Sequence, residues 1–298
     1  MATTVRTPPA ATVHPCHHRA AVQDGAMRRS PPRPRPFAAA GPPQRPGTGA
    51  APRPSGGPGG VWLHGLHPVA AALANPARRL RRLLLTEEAE AALAARLPAG
   101  QPWRLAPERA DRARFHTFLS EDAVHQGAAL LADPLPPVPL DRALAHAEGP
   151  VLVLDQVTDP RNVGAILRSA AAFGAAALVL QDRHAPPETG ALARAASGAL
   201  EIVPVVREVN LARALRALKD AGLWVVGLDA AAPVTIAQTA QGLHGRRAAL
   251  VLGAEGEGLR RLTRETCDEI ARLPIVPEVE SLNVSAAAAV ALYELARR

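Results

Sequence analysis

Aromatic side chains are scarce in this chain of 298 residues, at 3% of the sequence. A core must therefore rest on Ala, Leu and Val, and the hydrophobic fraction of 48% is enough to build one. Cysteine is scarce too. Cys16 and Cys267 are the only two, in unrelated contexts. They imply no disulfide framework, so a reducing compartment, the cytoplasm, is the expected location. No apolar run reaches the roughly 18 to 20 residues that cross a bilayer; the run from Ala286 to Leu292 is too short and ends in charge. No Walker A sequence, no H-E-x-x-H and no G-x-S-x-G occurs. Phosphate-loop, zinc-protease and hydrolase readings lose support accordingly. There is no internal repeat.

Acid is nearly missing from the first 60 residues, which hold eight Arg against one acidic residue, Asp24. That excess of 8 − 1 = +7 is the whole net charge, so the rest of the chain balances to zero. Any affinity of the folded part for nucleic acid must come from local clusters rather than from its sum. Thirteen of the thirty prolines also fall in this segment. It has no hydrophobic period and no continuous apolar stretch of a signal peptide, and reads as a disordered Pro/Arg-rich tail, residues 1–60. Its Arg-rich, acid-poor composition also fits a transit peptide, but the proline density opposes the amphipathic helix that would need. His14, Cys16, His17 and His18 lack a second ligand set at zinc-site spacing, so no metal site is expected.

Residues 61–135 read as a small α/β domain. Strands are expected at Val61 to His64 before a Gly65 turn, Leu80 to Thr86, Trp103 to Ala106 and Ala128 to Ala132. Helices are expected at His67 to Leu73 and Glu87 to Leu97. Pro134 to Pro139 marks a boundary, with a linker over 136–148. From 149 to 298 strands and helices alternate, which predicts a parallel sheet covered by helices. The strands are Val151 to Asp155, Ala176 to Gln181, Ile202 to Arg207, Leu223 to Asp229, Ala248 to Gly253 and Ile270 to Leu273. The helices are Asn162 to Phe173, Glu188 to Ala196, Leu211 to Ala221, Leu259 to Cys267 and Leu282 to Arg298.

Three stretches carry candidate chemistry. In the first, the strand ending at Asp155 leads through Asp159-Pro160 to Asn162, placed as a helix N-cap, with Arg168 under two turns further on. Ligands in α/β sheets gather at such strand ends. In the second, a buried strand runs into Gly253-Ala254-Glu255-Gly256-Glu257-Gly258. The spacing is G-x-x-G-x-G rather than that of a dinucleotide fingerprint, and two glutamates would repel a pyrophosphate. A ligand with positive character, or a ribose, fits better. In the third, Leu273 to Ser285, two prolines and an acidic turn precede a small-residue helix that starts around Asn283. The junction Ala196 to Glu201 reads as a plain glycine-containing helix end.

Taken in order, these stretches resemble the signature motifs of the SpoU (TrmH-like) family of RNA ribose 2′-O-methyltransferases. The first motif is Asn162-Val163-Gly164-Ala165-Ile166 with Arg168-Ser169-Ala170. The second is Leu252-Gly253-Ala254-Glu255-Gly256, and the third Ser281-Leu282-Asn283-Val284-Ser285. His64-Gly65-Leu66-His67-Pro68-Val69 and His125-Gln126-Gly127 resemble the substrate domain of the RlmB-type subgroup, which acts on a guanosine of 23S rRNA. One departure lies before the third motif, where family members often carry glycine and this chain has Pro277 and Glu278.

The resemblance implies S-adenosyl-L-methionine as methyl donor, a C-terminal trefoil knot, a homodimer and no metal. It places the cofactor on Leu252, Gly253, Leu273, Ile275 and Leu282, largely through backbone. It makes Arg168 the residue that activates the ribose hydroxyl. Since arginine stays protonated, holding phosphate and stabilising developing oxyanion charge suits it better than acting as base; a phosphate oxygen, water or Glu255 remain as bases. Asn162 and Asn283 would orient ribose and loops, supported by Glu255 and Ser285. Arg161, Arg81 and Arg82 are the candidate RNA contacts. A tRNA or other rRNA target, a non-catalytic ribosome-assembly role and a nucleotide-cofactor dehydrogenase are the competing expectations.

Overall fold

The computed structural model describes residues 59–97, 103–276 and 278–297. The expectations for residues 1–58, Cys16 and the histidines beside it included, and for Pro277 lie outside the described residues.

Two sheets organise the chain. The smaller is built from β1 (Val61–His64), α1 (Leu66–Ala74), β2 (Leu80–Leu85), α2 (Glu87–Ala94), β3 (Pro107–Arg109), α3 (Arg112–Phe115) and β4 (Ala128–Ala132). Its strand order is β1-β4-β2-β3, with β4 antiparallel to β1 and β2, and β3 parallel to β2. Gly65 ends β1 with φ 93°. The side chain of Thr86 caps α2, whose first turn carries Glu87, Glu88 and Glu90 where the helix dipole favours them.

The larger sheet follows α4 (Leu140–His146). Its elements are β5 (Val151–Asp155), α5 (Pro160–Ala172), β6 (Ala177–Gln181), α6 (Gly190–Ala196), β7 (Val205–Glu208), α7 (Leu211–Asp220), β8 (Trp224–Leu228), β9 (Val234–Thr235), α8 (Ile236–Gly242), β10 (Ala248–Gly253), α9 (Arg261–Thr266), β11 (Glu269–Arg272) and α10 (Val284–Ala296). The order is β7-β6-β5-β10-β8-β11-β9, and every neighbouring pair is parallel. Central strands such as β5 and β10 are unbroken apolar runs because helices cover both faces. Late in the chain, β10 inserts beside early β5, which sets Gly253 directly across from Asp155.

Several sequence expectations shift. Residues 103–106 form no strand; pairing with β2 selects Pro107–Arg109 instead, and an edge position tolerates the leading proline. The expected linker contains α4, whose Leu140 and Ala143 are buried against β5 and β6. The span begun at Ile202 starts its strand at Val205, after a 3-10 turn over Ala199–Glu201. Asn162 is not the cap of α5: Asp159 accepts from the Arg161 N–H, and Pro160 opens the helix. Ser197 and Gly198 adopt left-handed backbone as an ordinary helix end.

The two sheets share one apolar cluster running from Leu63, Val69 and Leu130 through Leu192 and Ala196 to Ile166 and Leu180. At its rim Arg78 is fully buried. Its guanidinium meets Glu188 and Glu201 of the larger sheet's connections and donates 2.9 Å to the Asp133 carbonyl. Asn75 donates 2.6 Å to Glu201.

Candidate active site

Three loops meet at the C-terminal ends of β5, β10 and β11, where a parallel sheet leaves backbone groups free. The first leaves Asp155 through Gln156, at φ 61°, and carries Asn162 in the first turn of α5. The second runs from Gly253 to Arg260. It folds back on itself through a bridge between Ala254 and Gly258, closed by the Gly258 N–H donating 3.0 Å to the Ala254 carbonyl. A Cβ at Gly253 would lie 2.1 Å from the Gly258 carbonyl carbon, so only glycine permits this turn. The third loop reaches Asn283, whose side chain caps α10 by accepting from the Ser285 N–H at 2.9 Å.

The loops are tied at one point. Glu255 Oε1 accepts from Asn283 Nδ2 at 2.7 Å, Asn162 Nδ2 at 3.2 Å and the Val284 N–H at 3.4 Å. Asn283 Nδ2 also donates 3.1 Å to Asn162 Oδ1, and Asn283 Oδ1 accepts from Ser285 Oγ at 2.6 Å. The Asn283 amide is thus fully used, two donated and two accepted bonds, which fixes its orientation. Asn162, Glu255, Asn283 and Ser285 are therefore brought together. Asn162 lies inside the first turn, past the Asp159 cap, and its amide is free to engage across the sheet.

Arg168 is not part of this network. It is exposed, and its side chain makes no hydrogen bond or ion pair with the described residues. Six residues past Asn162 means about 9 Å along the axis and on another side of the helix. Arg161 is exposed, and its charge reaches Asp122 of the small domain; that carboxyl is held below its usual range first by the Ser120 hydroxyl and also by Arg161. Arg81 pairs with Asp133, and Arg82 is bidentate to Glu108 at 2.7 Å.

Beside the junction lies a cleft of about 450 Å³, bordered by Leu252, Gly253, Leu273, Ile275 and Leu282. Its wall also includes Leu228, Asp229 and Glu280, which sequence reading missed. Their signal was available: β8, like β5, is an apolar strand followed by an aspartate at its C-terminal end. Asp229 accepts from the Ala231 N–H and pairs with Arg264.

Comparison with known proteins gives consistent matches. Residues 149–293 match the model of the SpoU rRNA methylase family, and residues 62–138 match the RNA 2′-O ribose methyltransferase substrate-binding domain. A 23S rRNA (guanosine-2′-O-)-methyltransferase RlmB from Photobacterium profundum is 39% identical over 241 residues, 79% of this chain and 97% of the relative. Its counterpart from Pseudomonas syringae pv. tomato is 40% identical over 244 residues, covering 79% and 95%. Among solved structures, the SpoU methyltransferase AviRb from Streptomyces viridochromogenes, in complex with the cofactor AdoMet, aligns with TM-score 0.64 at 25% identity, over 80% of this chain and 90% of that one.

Proposed function

The chain belongs to the SpoU rRNA methylase family, and from that premise we propose that it transfers the methyl group of S-adenosyl-L-methionine to the ribose 2′-hydroxyl of a guanosine in 23S rRNA. The observation that carries the reading is the junction itself: Asn162, Glu255 and Asn283, from three separate loops, hydrogen-bonded at the edge of one cleft. The substrate-binding domain over 62–138 and the similarity to RlmB proteins over 79% of this chain favour 23S rRNA as target.

The cleft fits the cofactor chemically. Leu228, Leu252, Ile275 and Leu282 give apolar surface for an adenine, and the loop backbone gives polar groups for its edge. Asp229, Glu255, Glu257 and Glu280 place four carboxylates around it, which suits a ligand carrying a sulfonium and an ammonium and disfavours a pyrophosphate. When bound, the cofactor supplies an electrophilic methyl group. The protein's contribution is to hold the acceptor oxygen in line with it. Glu255 spends one oxygen on three donors and so acts as organiser, setting Asn162 and Asn283 for the ribose. Arg168, with its guanidinium unengaged, is assigned to the RNA phosphate and to the charge that builds on the attacking oxygen. Arg161 shares the phosphate contacts. Arg81 and Arg82 would have to exchange Asp133 and Glu108 for phosphate.

The same reading includes a knotted C-terminal segment, a homodimer and a cytoplasmic location. In its support, α10 is the last element yet packs on early α5 as well as on β10. It also leaves Val290 and Tyr293 exposed, at 44% and 51%, on a helix otherwise rich in alanine. Among the described residues, no helix is long and apolar enough to cross a membrane.

The test is ribose-methylation mapping of rRNA and tRNA from cells with and without the gene. One 23S guanosine should lose its methyl group; an unchanged map, or a change confined to tRNA, overturns the assignment. In the purified protein Arg168→Ala should keep cofactor binding by calorimetry while tritium-methyl transfer falls by about 100-fold or more, the size of loss seen when one stabilising donor is removed. Full residual transfer would refute its role.

A further inference from the structure

The network just described explains what Glu255 holds but not what holds Glu255. The residue is exposed and sits near the tip of a turn containing three glycines. Such a turn has little intrinsic rigidity. Something must fix its position for three donors to converge on one oxygen.

The candidate is a buried carboxylate. Asp155, the last residue of β5, has a fully buried side chain. Its Oδ2 accepts from the Arg260 backbone N–H at 3.1 Å, and its Oδ1 from Arg260 Nε at 2.7 Å. Across the sheet its partner is Gly253. Asp155 therefore borders both ends of the Glu255 turn. Its backbone lies beside the point where the chain leaves β10, and its carboxylate grips the point where the chain enters α9. Between those points the Ala254–Gly258 bridge closes the turn.

A buried carboxylate is costly to maintain, and an apolar side chain at a strand end packs at least as well. Its two bonds to Arg260 point to a role beyond filling space. We propose that Asp155 is a positioning residue for methyl transfer, fixing the 253–260 turn through Arg260 and thereby setting Glu255 to organise Asn162 and Asn283. The inference rests on the methyltransferase reading for its catalytic consequence, and on geometry alone for the positioning.

The experiment uses the full chain, with 23S rRNA and S-adenosyl-L-methionine as probes. Arg260→Gln removes the Nε bond and spares the backbone bond; Asp155→Asn removes the charge; Asp155→Ala removes both acceptors. The value of kcat should fall in that order, by about ten-fold for Asp155→Asn, the scale of one charge-assisted hydrogen bond. The KM for RNA should stay within about two-fold, since phosphate contacts are untouched. In a Glu255→Ala background, which removes the shared acceptor oxygen, the Asp155→Asn loss should vanish, because the two residues act in series. Losses that simply multiply would overturn the proposal.

A second readout needs no activity. Hydrogen exchange of the Val284 amide, which donates to Glu255, should accelerate by about ten-fold in Asp155→Asn while β5 and β10 amides keep their protection. Unchanged Val284 exchange overturns the proposal even if activity falls. If Asp155→Asn does not fold, the exchange and kcat of Arg260→Gln decide instead, and wild-type values for both would sink the idea. Should the wild-type protein methylate no RNA, the functional reading fails, and the exchange result still decides whether Asp155 holds the turn.

Discussion

At the residue scale, neighbours decide what each side chain does. Cys267 is a case in point. Its Sγ donates to the Thr263 carbonyl at 3.3 Å, and burial pushes its thiol up to about 12, against a smaller opposing pull from Lys219. The thiolate is the reactive form. At pH 8 Cys267 should therefore resist iodoacetamide in the native protein and label fully once unfolded, as read by peptide mass spectrometry; rapid native labelling would contradict the burial. Asn283 shows the same principle in amide form, with every donor and acceptor used. Asn162, Glu255 and Asn283 were marked as candidates by their motifs. Their mutual bonding was not, since it joins residues more than 90 positions apart in two of the three pairs.

At the element scale, short-range signals worked where one element dominated its surroundings. The apolar runs of β5 and β10 were read to the residue, because burial on both faces leaves no polar alternative. The helix α8 was missed although Thr235 and Gln238 form a capping box that the sequence displays. The edge strand β3 was misplaced because three residues on an edge have no pattern of their own. The turn ending β1 supplies a pH prediction. His64 is held below its ordinary pKa, first by burial and further by Arg194 and His125, with the Val124 carbonyl and Asp122 opposing. His125 is lowered by burial, then by His116 and Arg112. A histidine kept neutral when folded binds its proton more readily when unfolded. Its contribution is therefore present above the ordinary value of 6.5 and is lost as pH falls below it. Urea unfolding midpoints should drop between about pH 7.5 and 5.5, and His64→Gln should flatten that drop. An equal slope in the variant would contradict the assignment.

At the scale of the whole molecule, one apolar cluster and one buried cation join the substrate-binding part to the methylase part. Arg78 meets Glu188 and Glu201, and burial pushes the Glu188 carboxyl up while Arg78 pulls it back. Replacing Arg78 with Met would leave two carboxylates without their cation. The expected cost is about 3 to 5 kcal/mol, seen as a lowered melting temperature and as faster proteolysis near residues 134–139. A variant as stable and as resistant as wild type would show that Arg78 adds nothing to the join beyond the apolar cluster and the remaining hydrogen bonds, Asn75 to Glu201 among them.

The sequence by itself determined most of the parallel strands, the glycine turn, the three motifs and the family they belong to. Those features depend on local patterning and on residue types whose chemistry is specific. Tertiary structure decided that Asn162 bonds across the sheet instead of capping its helix, that Arg168 stands apart, that Arg81 and Arg82 are already paired, and that Asp155 grips the far end of the Glu255 turn. Each of these turns on which distant segments the sheet order brings together. That order follows from burial summed over the whole chain, which no single stretch of sequence contains.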